Sequence, residues 1–468
     1  MSKTMTNEFL VRYVRDWGDY QSLVDSSCKS WNRVAINQLK RKIATFEGVL
    51  EDKSGKTLNF EVSFQNGSKA YFLFVPEHIS AFGLHTEIRE SFMEGIKAQE
   101  NISFNVLGLN KDLQTTLVGA LTSAVHLCQW KYPKYGKKSK GSCKVKKNFG
   151  FYSNLDDSVL GELMDSGEAI AEGTNLARTL SSTPTNYMQS KDLVAEARKI
   201  SKKLKTPMKF LSEGVLKDLE AGSFLSVIKG SKGSDGGIVH LKYRTRKADP
   251  LNIAIVGKGV VFDTGGYDIK TDGSMDGMHR DMTGAAVSLS LFQALVKSKP
   301  KCNIDLYLAV AENLVSEEAS KPNDVVIAMD GTSIEIGNTD CEGRMVLADT
   351  ILYSKRNEKE PDLILDFATL TGAAIYSVDT RFSCVFSNDD LLAQEAVYIG
   401  SECGERVWSF PTSDDFSDTL YMSEVADISQ CTSSENAEHI YAACFLKHFV
   451  GNTPWIHVDL SSETCSGG

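Results

Sequence analysis

The chain has 468 residues, a formal net charge of −10, and 42% hydrophobic and 24% charged residues. These values are typical of a soluble globular protein with two or three domains. The acidic balance argues against nucleic acid as the main partner, and the absence of an apolar run of about 18 residues argues against a membrane-spanning helix.

The N-terminal sequence and the cysteines indicate where the protein acts, and the histidines limit the kinds of metal site it could form. The first residues, MSKTMTNEFLVRYVRDW, lack a long apolar segment and include acids, which argues against a targeting peptide. Ten cysteines without a Cys-x-x-Cys pair indicate reduced thiols in a cytoplasmic protein. The eight histidines include no His-Glu-x-x-His, so a metal site would need oxygen ligands or an unusual set.

Residues 1–153 are predicted to form a small α/β domain without recognisable chemistry, which would serve assembly or access. A hairpin is expected from 58–64 and 70–75, joined through the turn dipeptide Asn66-Gly67. Further elements follow in chain order, namely a helix at about 85–99, a strand at 102–107, a helix at 112–127 and a strand at 149–152.

A lysine-rich segment interrupts this domain. Residues 131–147 contain eight lysines. The simpler interpretation is a solvated loop, and the alternative is a patch for nucleic acid or another acidic partner.

A long helix at 154–182 is predicted to connect this unit to a larger domain at 183–468. Strand and helix patterns alternate there, and several strands are continuously apolar, as in sheets covered by helices on both faces. The expected fold is α/β, a mixed and largely parallel sheet flanked by helices. In such sheets ligands bind beyond the carboxyl ends of the strands. The strands are predicted at 238–243, 252–256, 304–310, 363–367, 383–386 and 455–458.

Residues 338–344, Asn-Thr-Asp-Cys-Glu-Gly-Arg, set two carboxylates two positions apart. In an extended segment, Asp340, Glu342 and Arg344 would share one face and Cys341 would point to the other. Two clustered acids repel unless a cation lies between them, and hard oxygen ligands suit divalent metals. The alternative is a polar turn that leads into a helix.

A second polar segment follows the predicted strand at 252–256. It contains Lys258, Asp263, Lys270 and Asp281, with a double glycine after Asp263 that permits a tight turn. Taken singly, Asp281 would be a helix N-cap and the lysines would be surface residues. Together with the acids of 338–344, they make four carboxylates, which could hold two divalent ions roughly 3.5–4 Å apart.

Four motifs resemble the cytosol (leucine) aminopeptidase family over roughly the last 300 residues. They are VGKGVVFDTGG at 256–266, MDGMHRDM at 275–282, NTDCEGR at 338–344 and ATLTGA at 368–373. Tyr267 and the AENL of 311–314 make the chain similar to the aminopeptidase B branch.

The resemblance implies two divalent metal ions per subunit, zinc or manganese, with magnesium or cobalt as alternatives. Asp263 and Glu342 would bridge both ions. Asp340 would complete one site, and Lys258 and Asp281 would complete the other, more exchangeable site. A lysine ligand must be neutral, so a bound ion would have to lower its pKa from about 10.4.

The resemblance also implies how catalysis and substrate binding would work. Lys270 would polarise the peptide carbonyl, and Arg344 would hold a bicarbonate ion that acts as general base. The free α-amine of the substrate would bind the exchangeable metal. The pocket for a first side chain, bulky and apolar such as leucine, would use Met278, Thr369, the backbone of Leu370, and Gly372.

The family resemblance further implies a homohexamer in the cytoplasm that acts on peptides with a free N-terminus. One alternative is a catalytically reduced paralogue with a structural or DNA-associated role; the intact metal-ligand positions argue against it. The second alternative is a metallophosphoesterase, because paired metals also serve phosphoryl transfer. The lack of histidine ligands argues against that.

The sequence departs from the family pattern in four places. Cys341 replaces an alanine and is expected to face away from the metals, and Thr283 replaces a glycine. Residues 430–442 lack a glycine-rich stretch, which affects the outer wall of the substrate pocket. The sequence also has a shorter C-terminal tail than the resemblance implies.

Overall fold

The computed structural model describes two units of the chain. The described residues are 7–13, 37–38, 41, 57–63, 69–76, 78–136, 147–231, 233, 235–356, 359–432 and 436–462. The division falls between Glu172 and Gly173, and residues 401–404 group with the first unit. Within this described part, no helix has both the length and the apolar character needed to cross a membrane.

The first unit contains a five-stranded sheet with strand order β2-β3-β1-β4-β5. β1 pairs in parallel with β3 and β4, and β2 pairs antiparallel with β3. Aromatic rings pack in its core, where Phe9 stacks on Tyr71 and meets Phe92 edge-on. The elements are β1 (Asn7–Tyr13), β2 (Leu58–Ser63), β3 (Lys69–Val75), α1 (Ala81–Ala98), β4 (Asn101–Asn105), α2 (Lys111–Leu127), β5 (Asn148–Tyr152) and α3 (Asp157–Ser181), the last of which contains the division.

The predicted hairpin is confirmed as the antiparallel pair β2 and β3, although its Asn66-Gly67 turn and residues 137–146 of the lysine-rich segment lie outside the described residues. The sequence did not predict β1. This strand is central in the sheet, and its buried Phe9, Leu10 and Val11 form a run too short to show a period.

The second unit is built on an eight-stranded sheet with strand order β14-β13-β16-β12-β8-β9-β7-β6. Its strands are β6 (Met208–Ser212), β7 (Gly237–Tyr243), β8 (Asn252–Asp263), β9 (Asn303–Asn313), β12 (Leu363–Ala368), β13 (Ser383–Ser387), β14 (Val407–Ser409) and β16 (Trp455–Asp459). A separate three-stranded sheet contains β10 (Val325–Ile327), β11 (Ser333–Glu335) and β15 (Ile428–Ser429).

Helices flank the large sheet, which confirms the predicted fold class. They are α4 (Ser190–Leu204), α5 (Glu213–Asp218), α6 (Gly222–Ile228), α7 (Thr283–Ser298), α8 (Glu342–Lys355), α9 (Ala373–Val378), α10 (Asp390–Cys403), α11 (Asp414–Ser417) and α12 (Glu438–Val450), with 3₁₀ turns at Thr185–Tyr187, Met278–Arg280 and Asp418–Met422.

Parallel pairing aligns the central strands of the large sheet. β8 runs parallel to β9 and to β12, and β12 runs parallel to β16, whereas β7 and β13 join their neighbours β9 and β16 antiparallel. Successive side chains of β8 enter opposite cores, because Ile255 belongs to the cluster that contains residues of α4 and α7, and Val256 to the cluster that contains residues of α6, α8 and α12. Both faces are therefore covered, which explains the continuously apolar strands. The carboxyl ends of β8, β9 and β12 meet at one edge.

Candidate metal centre

Three structural elements bring the predicted acids and lysines to this carboxyl edge. Lys258 lies in the second half of β8, and Asp263 is its last residue. Asp281 directly follows the Met278–Arg280 turn; it does not cap α7, because Met282 occupies that position. Asp340 precedes α8, and Glu342 is its first residue.

The heptapeptide 338–344 is not extended, so that prediction is wrong and the turn alternative is correct. The Asn338 side chain accepts a hydrogen bond from Asp340 N at 2.8 Å, and Cys341 N donates to Asn338 O at 3.1 Å, which closes a turn into α8. Glu342 and Arg344 are two residues apart in a helix, roughly 200° around its axis, and therefore do not share a face.

The loop after β8 needs glycine where it passes close to Asp340. Gly265 has φ +86°, and a Cβ there would lie 2.4 Å from Asp268 O and 3.0 Å from Asp340 Oδ1. The double glycine therefore lets the end of β8 approach the turn at 338–341.

Asp263, Asp340 and Glu342 form a cluster that could hold a metal ion, with ligand atoms all within 4.8 Å of one another. Two lysines connect this cluster, of which Lys258 is buried and Lys270 is partly exposed. Lys258 Nζ lies 2.8 Å from Asp281 Oδ1 and 2.9 Å from Glu342 Oε1. Lys270 Nζ lies 2.9 Å from Asp263 Oδ2 and 2.5 Å from Asp340 Oδ1. Four carboxylates thus converge on two ammonium groups.

Several carboxylate oxygens in this cluster are buried without a well-aligned hydrogen bond. These atoms are Asp281 Oδ2, Asp340 Oδ1 and both Glu342 oxygens, two of which touch a lysine only at ion-pair distance. Buried acceptors without donors are costly unless a cation satisfies them. Their oxygen chemistry fits hard divalent ions.

Every resolved pKa shift of the cluster is upward. Burial lowers the pKa of Lys258 and of Lys270, but the surrounding carboxylates outweigh it and raise both pKa values. Burial, together with Asp263 and Glu342, raises the pKa of Asp340 to about 7. Burial also raises the pKa of Glu342, and that of Asp281 well above its ordinary value. The cluster holds protons tightly because it is short of positive charge.

The sequence analysis did not single out the residues that support this cluster. Asn313, the last residue of β9, donates to Asp263 Oδ1 at 2.8 Å and to Thr339 O at 3.1 Å, so it orients the acid. Asp459, the last residue of β16, accepts from Leu370 N at 3.0 Å and from Thr371 Oγ1 at 2.8 Å. Both lie at carboxyl ends of strands, a position that could have marked them.

The predicted substrate-pocket residues lie beside the cluster or follow β12. Thr369 Oγ1 donates to Asp281 Oδ1 at 2.8 Å, and Thr369 O accepts from Lys258 Nζ at 2.7 Å. The Leu370 N–H is already used by Asp459, so a substrate contact there would have to use the carbonyl oxygen. Met278 is half-buried, and a Cβ on the exposed Gly372 would meet no atom within 4 Å.

Arg344 is fully buried, and its hydrogen-bond partners lie outside the cluster of Asp263, Asp340 and Glu342. Its Nη2 donates to Glu438 Oε1 at 2.9 Å, and its Nη1 donates to Gln430 O at 3.1 Å. Cys341 turns away from the acids, as expected, but Arg344 turns with it, contrary to the prediction that Arg344 shares the face of the acids; Cys341 Sγ donates to Glu438 Oε1 at 3.3 Å. The heptapeptide therefore presents its acids to the lysines and its arginine and cysteine to α12.

The side chains identify this site more clearly than the cavities of the protein do. A cavity of about 160 Å³ lies at the opposite end of the strands, against Asn252 and Asn303, where β8 and β9 begin. A cavity of about 20 Å³, lined by Asn313 and Glu342 among others, adjoins the carboxylates and has room for about one water.

The fold and the site define an α/β protein whose sheet edge carries an acid–lysine cluster that could hold metal. Residues 175–467 match the catalytic domain of the cytosol aminopeptidase family, and the chain belongs to this family. It is 39% identical over 303 residues to a probable cytosol aminopeptidase of Exiguobacterium sibiricum, covering 65% of this chain and 62% of that protein.

Two further relatives carry the same description. The protein of Bacillus subtilis is 36% identical over 307 residues, which are 64% of this chain and 61% of that protein. A protein of Rhodopseudomonas palustris strain BisB18 is 33% identical over 450 residues, which are 91% of this chain and 85% of that protein. The chain thus spans about three fifths of the length of the first two relatives. The predicted family is confirmed, and the aminopeptidase B branch stays a prediction.

Proposed function

We propose that this protein is a metal-dependent aminopeptidase that releases N-terminal residues from peptides. The observation that carries the proposal is the cluster of Asp263, Asp340 and Glu342, whose ligand atoms lie within 4.8 Å of one another beside two lysines, one buried and one partly exposed. The cluster lies at the carboxyl edge of the sheet, in the part of the chain that matches the family's catalytic domain.

The proposed cofactors are two divalent ions, zinc or manganese, with magnesium or cobalt as alternatives. Asp263 and Glu342 would be shared, Asp340 would serve one ion, and Lys258 and Asp281 the other. Two buried oxygens, Asp281 Oδ2 and Glu342 Oε2, have neither a hydrogen bond nor an ion pair, and four carboxylates share only two lysines, which supports this assignment. Such ions, when bound, activate water and polarise a carbonyl. Binding would require Lys258 to give up a proton.

Lys270 is proposed to stabilise the oxyanion that forms at the scissile carbonyl. Its side chain is 14% exposed, so it can reach substrate while remaining in a largely dry environment. In the metal-free protein the surrounding carboxylates raise its pKa. The amine is proposed to stay protonated, and so able to donate, when the ions are bound. Its contacts with Asp263 and Asp340 would loosen when metal neutralises those acids, which frees Nζ for the carbonyl oxygen.

The substrate is proposed to be a peptide with a free α-amine and a bulky apolar first residue such as leucine. The resemblance supports a pocket at Met278, Thr369 and Gly372, and the exposure of Gly372 together with the half-burial of Met278 leaves both accessible to a substrate. An apolar pocket of this kind discriminates by only about 10–200-fold per methylene, so we expect a preference and not strict selection.

The bicarbonate that the resemblance implies does not fit this structure. Arg344 is already paired with the carboxylate of Glu438 at 2.9 Å and with Gln430 O. Arg344 Nε is buried without an acceptor, but a fork of two bonds to an oxyanion would also need the neighbouring Nη2, which Glu438 occupies. A second anion bound in this way would have to displace that carboxylate, so no proton transfer is assigned to bicarbonate here.

We further propose that the protein acts in the cytoplasm as a homohexamer, and that the unit formed by residues 1–153 serves assembly or access. Membership of the cytosol aminopeptidase family supports the first proposal, whereas the family match begins at residue 175, so the role of residues 1–153 rests on the absence of recognisable chemistry in their sequence. Light scattering would test the assembly, and a monomeric mass at working concentration would contradict it.

One panel of substrates tests the activity. The protein is incubated with Mn²⁺ or Zn²⁺ and given leucyl-coumarin, its N-acetylated form and p-nitrophenyl phosphate. We expect hydrolysis of the free-amine substrate alone. Equal cleavage of the acetylated substrate would contradict an exopeptidase, and turnover of the phosphate ester alone would favour a phosphoesterase. No turnover with any metal would favour a catalytically reduced paralogue.

A further inference from the structure

The buried arginine of the heptapeptide is paired with a carboxylate from another helix. Arg344 is 1% exposed, and its Nη2 donates to Oε1 of Glu438, the first residue of α12, at 2.9 Å. A guanidinium buried this deeply needs a counter-charge, and a carboxylate is the anion that suits its planar donors best. Glu438 supplies that charge from within the chain.

The surrounding contacts hold the pair in place. Cys341 Sγ donates to the same Glu438 oxygen at 3.3 Å, and Gln430 O accepts from Arg344 Nη1 at 3.1 Å. The Gln430 side chain in turn donates to Cys341 O and accepts from Asn338 N, both at 3.1 Å. The same turn that presents the acids to the lysines therefore also fixes the position of Glu438.

We infer that Glu438 is the resident anion of Arg344, and that it takes the position that an external oxyanion such as bicarbonate would otherwise occupy. Bicarbonate and a carboxylate offer the same pair of acceptor oxygens, and two anions on one guanidinium would repel each other. A tethered carboxylate also competes at an effective concentration of about millimolar or more. The side chain of Glu438 is 34% exposed, so removing it would open this position to solvent anions.

The effect of this pair on the reaction rate rests on the proposed function, whereas its effect on bicarbonate binding does not. In the metal-loaded protein, the rate on leucyl-coumarin is expected not to change when bicarbonate is added to a CO₂-free buffer. Glu438→Ala is expected to be slower, because an uncompensated Arg344 would disturb the turn that positions Asp340 and Glu342. Bicarbonate is expected to restore part of that rate in a saturable way, because it replaces the missing charge.

A binding measurement tests the inference without peptidase activity. ¹³C-labelled bicarbonate is titrated into wild type and Glu438→Ala, and binding is read from NMR line broadening. We expect Glu438→Ala to bind at least about tenfold more tightly, the scale of one charge-assisted hydrogen bond. The double variant Glu438→Ala/Arg344→Met is expected to lose this binding, and Glu424→Ala, an exposed glutamate, is expected to match wild type.

Two results would overturn the inference. The first is bicarbonate binding by wild type as tight as that by Glu438→Ala, and the second is binding that persists in the double variant. If Glu438→Ala does not fold by circular dichroism, Glu438→Gln replaces it, because the amide keeps an acceptor for Arg344 and Cys341 but removes the charge; tighter binding than wild type is again expected. Absence of peptidase activity together with the expected binding pattern would contradict the proposed function and leave this inference standing.

Discussion

Replacing Lys270 by alanine should separate catalysis from metal binding. Its Nζ contacts Asp263 Oδ2 at 2.9 Å and Asp340 Oδ1 at 2.5 Å, so its positive charge lies against two of the three clustered acids. Loss of one preorganised donor to a developing oxyanion typically lowers kcat about 10²–10³-fold. The variant keeps every proposed metal ligand and removes a competing cation, so its metal content should not fall.

The assay compares kcat and KM on leucyl-coumarin with the metal content of the same samples. Lys217→Ala is the matched control, because this exposed lysine pairs only across the surface with Glu213 at 2.6 Å. The control should have wild-type kcat, since surface ion pairs of this kind contribute little. A kcat for Lys270→Ala within about threefold of wild type would refute the assigned role, and a loss of metal would refute the separation of roles.

Three other perturbations follow from the same structure. Asp263→Ala should abolish metal binding and with it the metal-induced stabilisation, which is about 2.7 kcal/mol at a hundredfold excess over Kd and is read from thermal unfolding with and without chelator; retained metal would contradict this. Gly343→Ala places a Cβ 2.7 Å from Cε and Nζ of Lys258, so the lysine must shift and turnover should fall about 10–100-fold, which unchanged kinetics would exclude. Burial lowers the pKa of His457, but Asp366, 2.5 Å away, raises it above 6.5 overall. This stabilisation is present below pH 6.5 and is lost as pH rises through the folded-state pKa, so the free energy of unfolding by urea should fall over that range and should fall less in His457→Asn.

The six inner strands of the large sheet could be predicted because the sheet is covered on both faces, whereas its edge strands β6 and β14 and the separate three-stranded sheet were not predicted. Buried strands such as β9 are nearly unbroken apolar runs, and helices such as α4 bury residues at a clear helical spacing. β8 was predicted too short, because Gly257, Lys258 and Gly259 resemble a loop in one dimension. The structure keeps them in the strand, since Gly257 lies against α7, where a Cβ would be 2.8 Å from Ala285 Cα.

The residues of the candidate metal centre were easier to predict from the sequence than their geometry. Residue types and motif spacing selected the acids and lysines that the structure brings together at one edge of the sheet. The face assignments within 338–344 failed, because the side-chain period of two holds only for a strand and Asn338 closes a turn instead.

The sequence by itself determined the family, the fold class and the set of acidic and basic side chains, because each depends on local pattern and motif spacing. The tertiary structure alone decided which groups neutralise one another. Asn313 and Asp459 support the site from strands that are distant in sequence, and Glu438 reaches Arg344 across 94 positions. Contacts of that separation depend on how helices and strands pack, and a single sequence does not encode that packing in any local pattern.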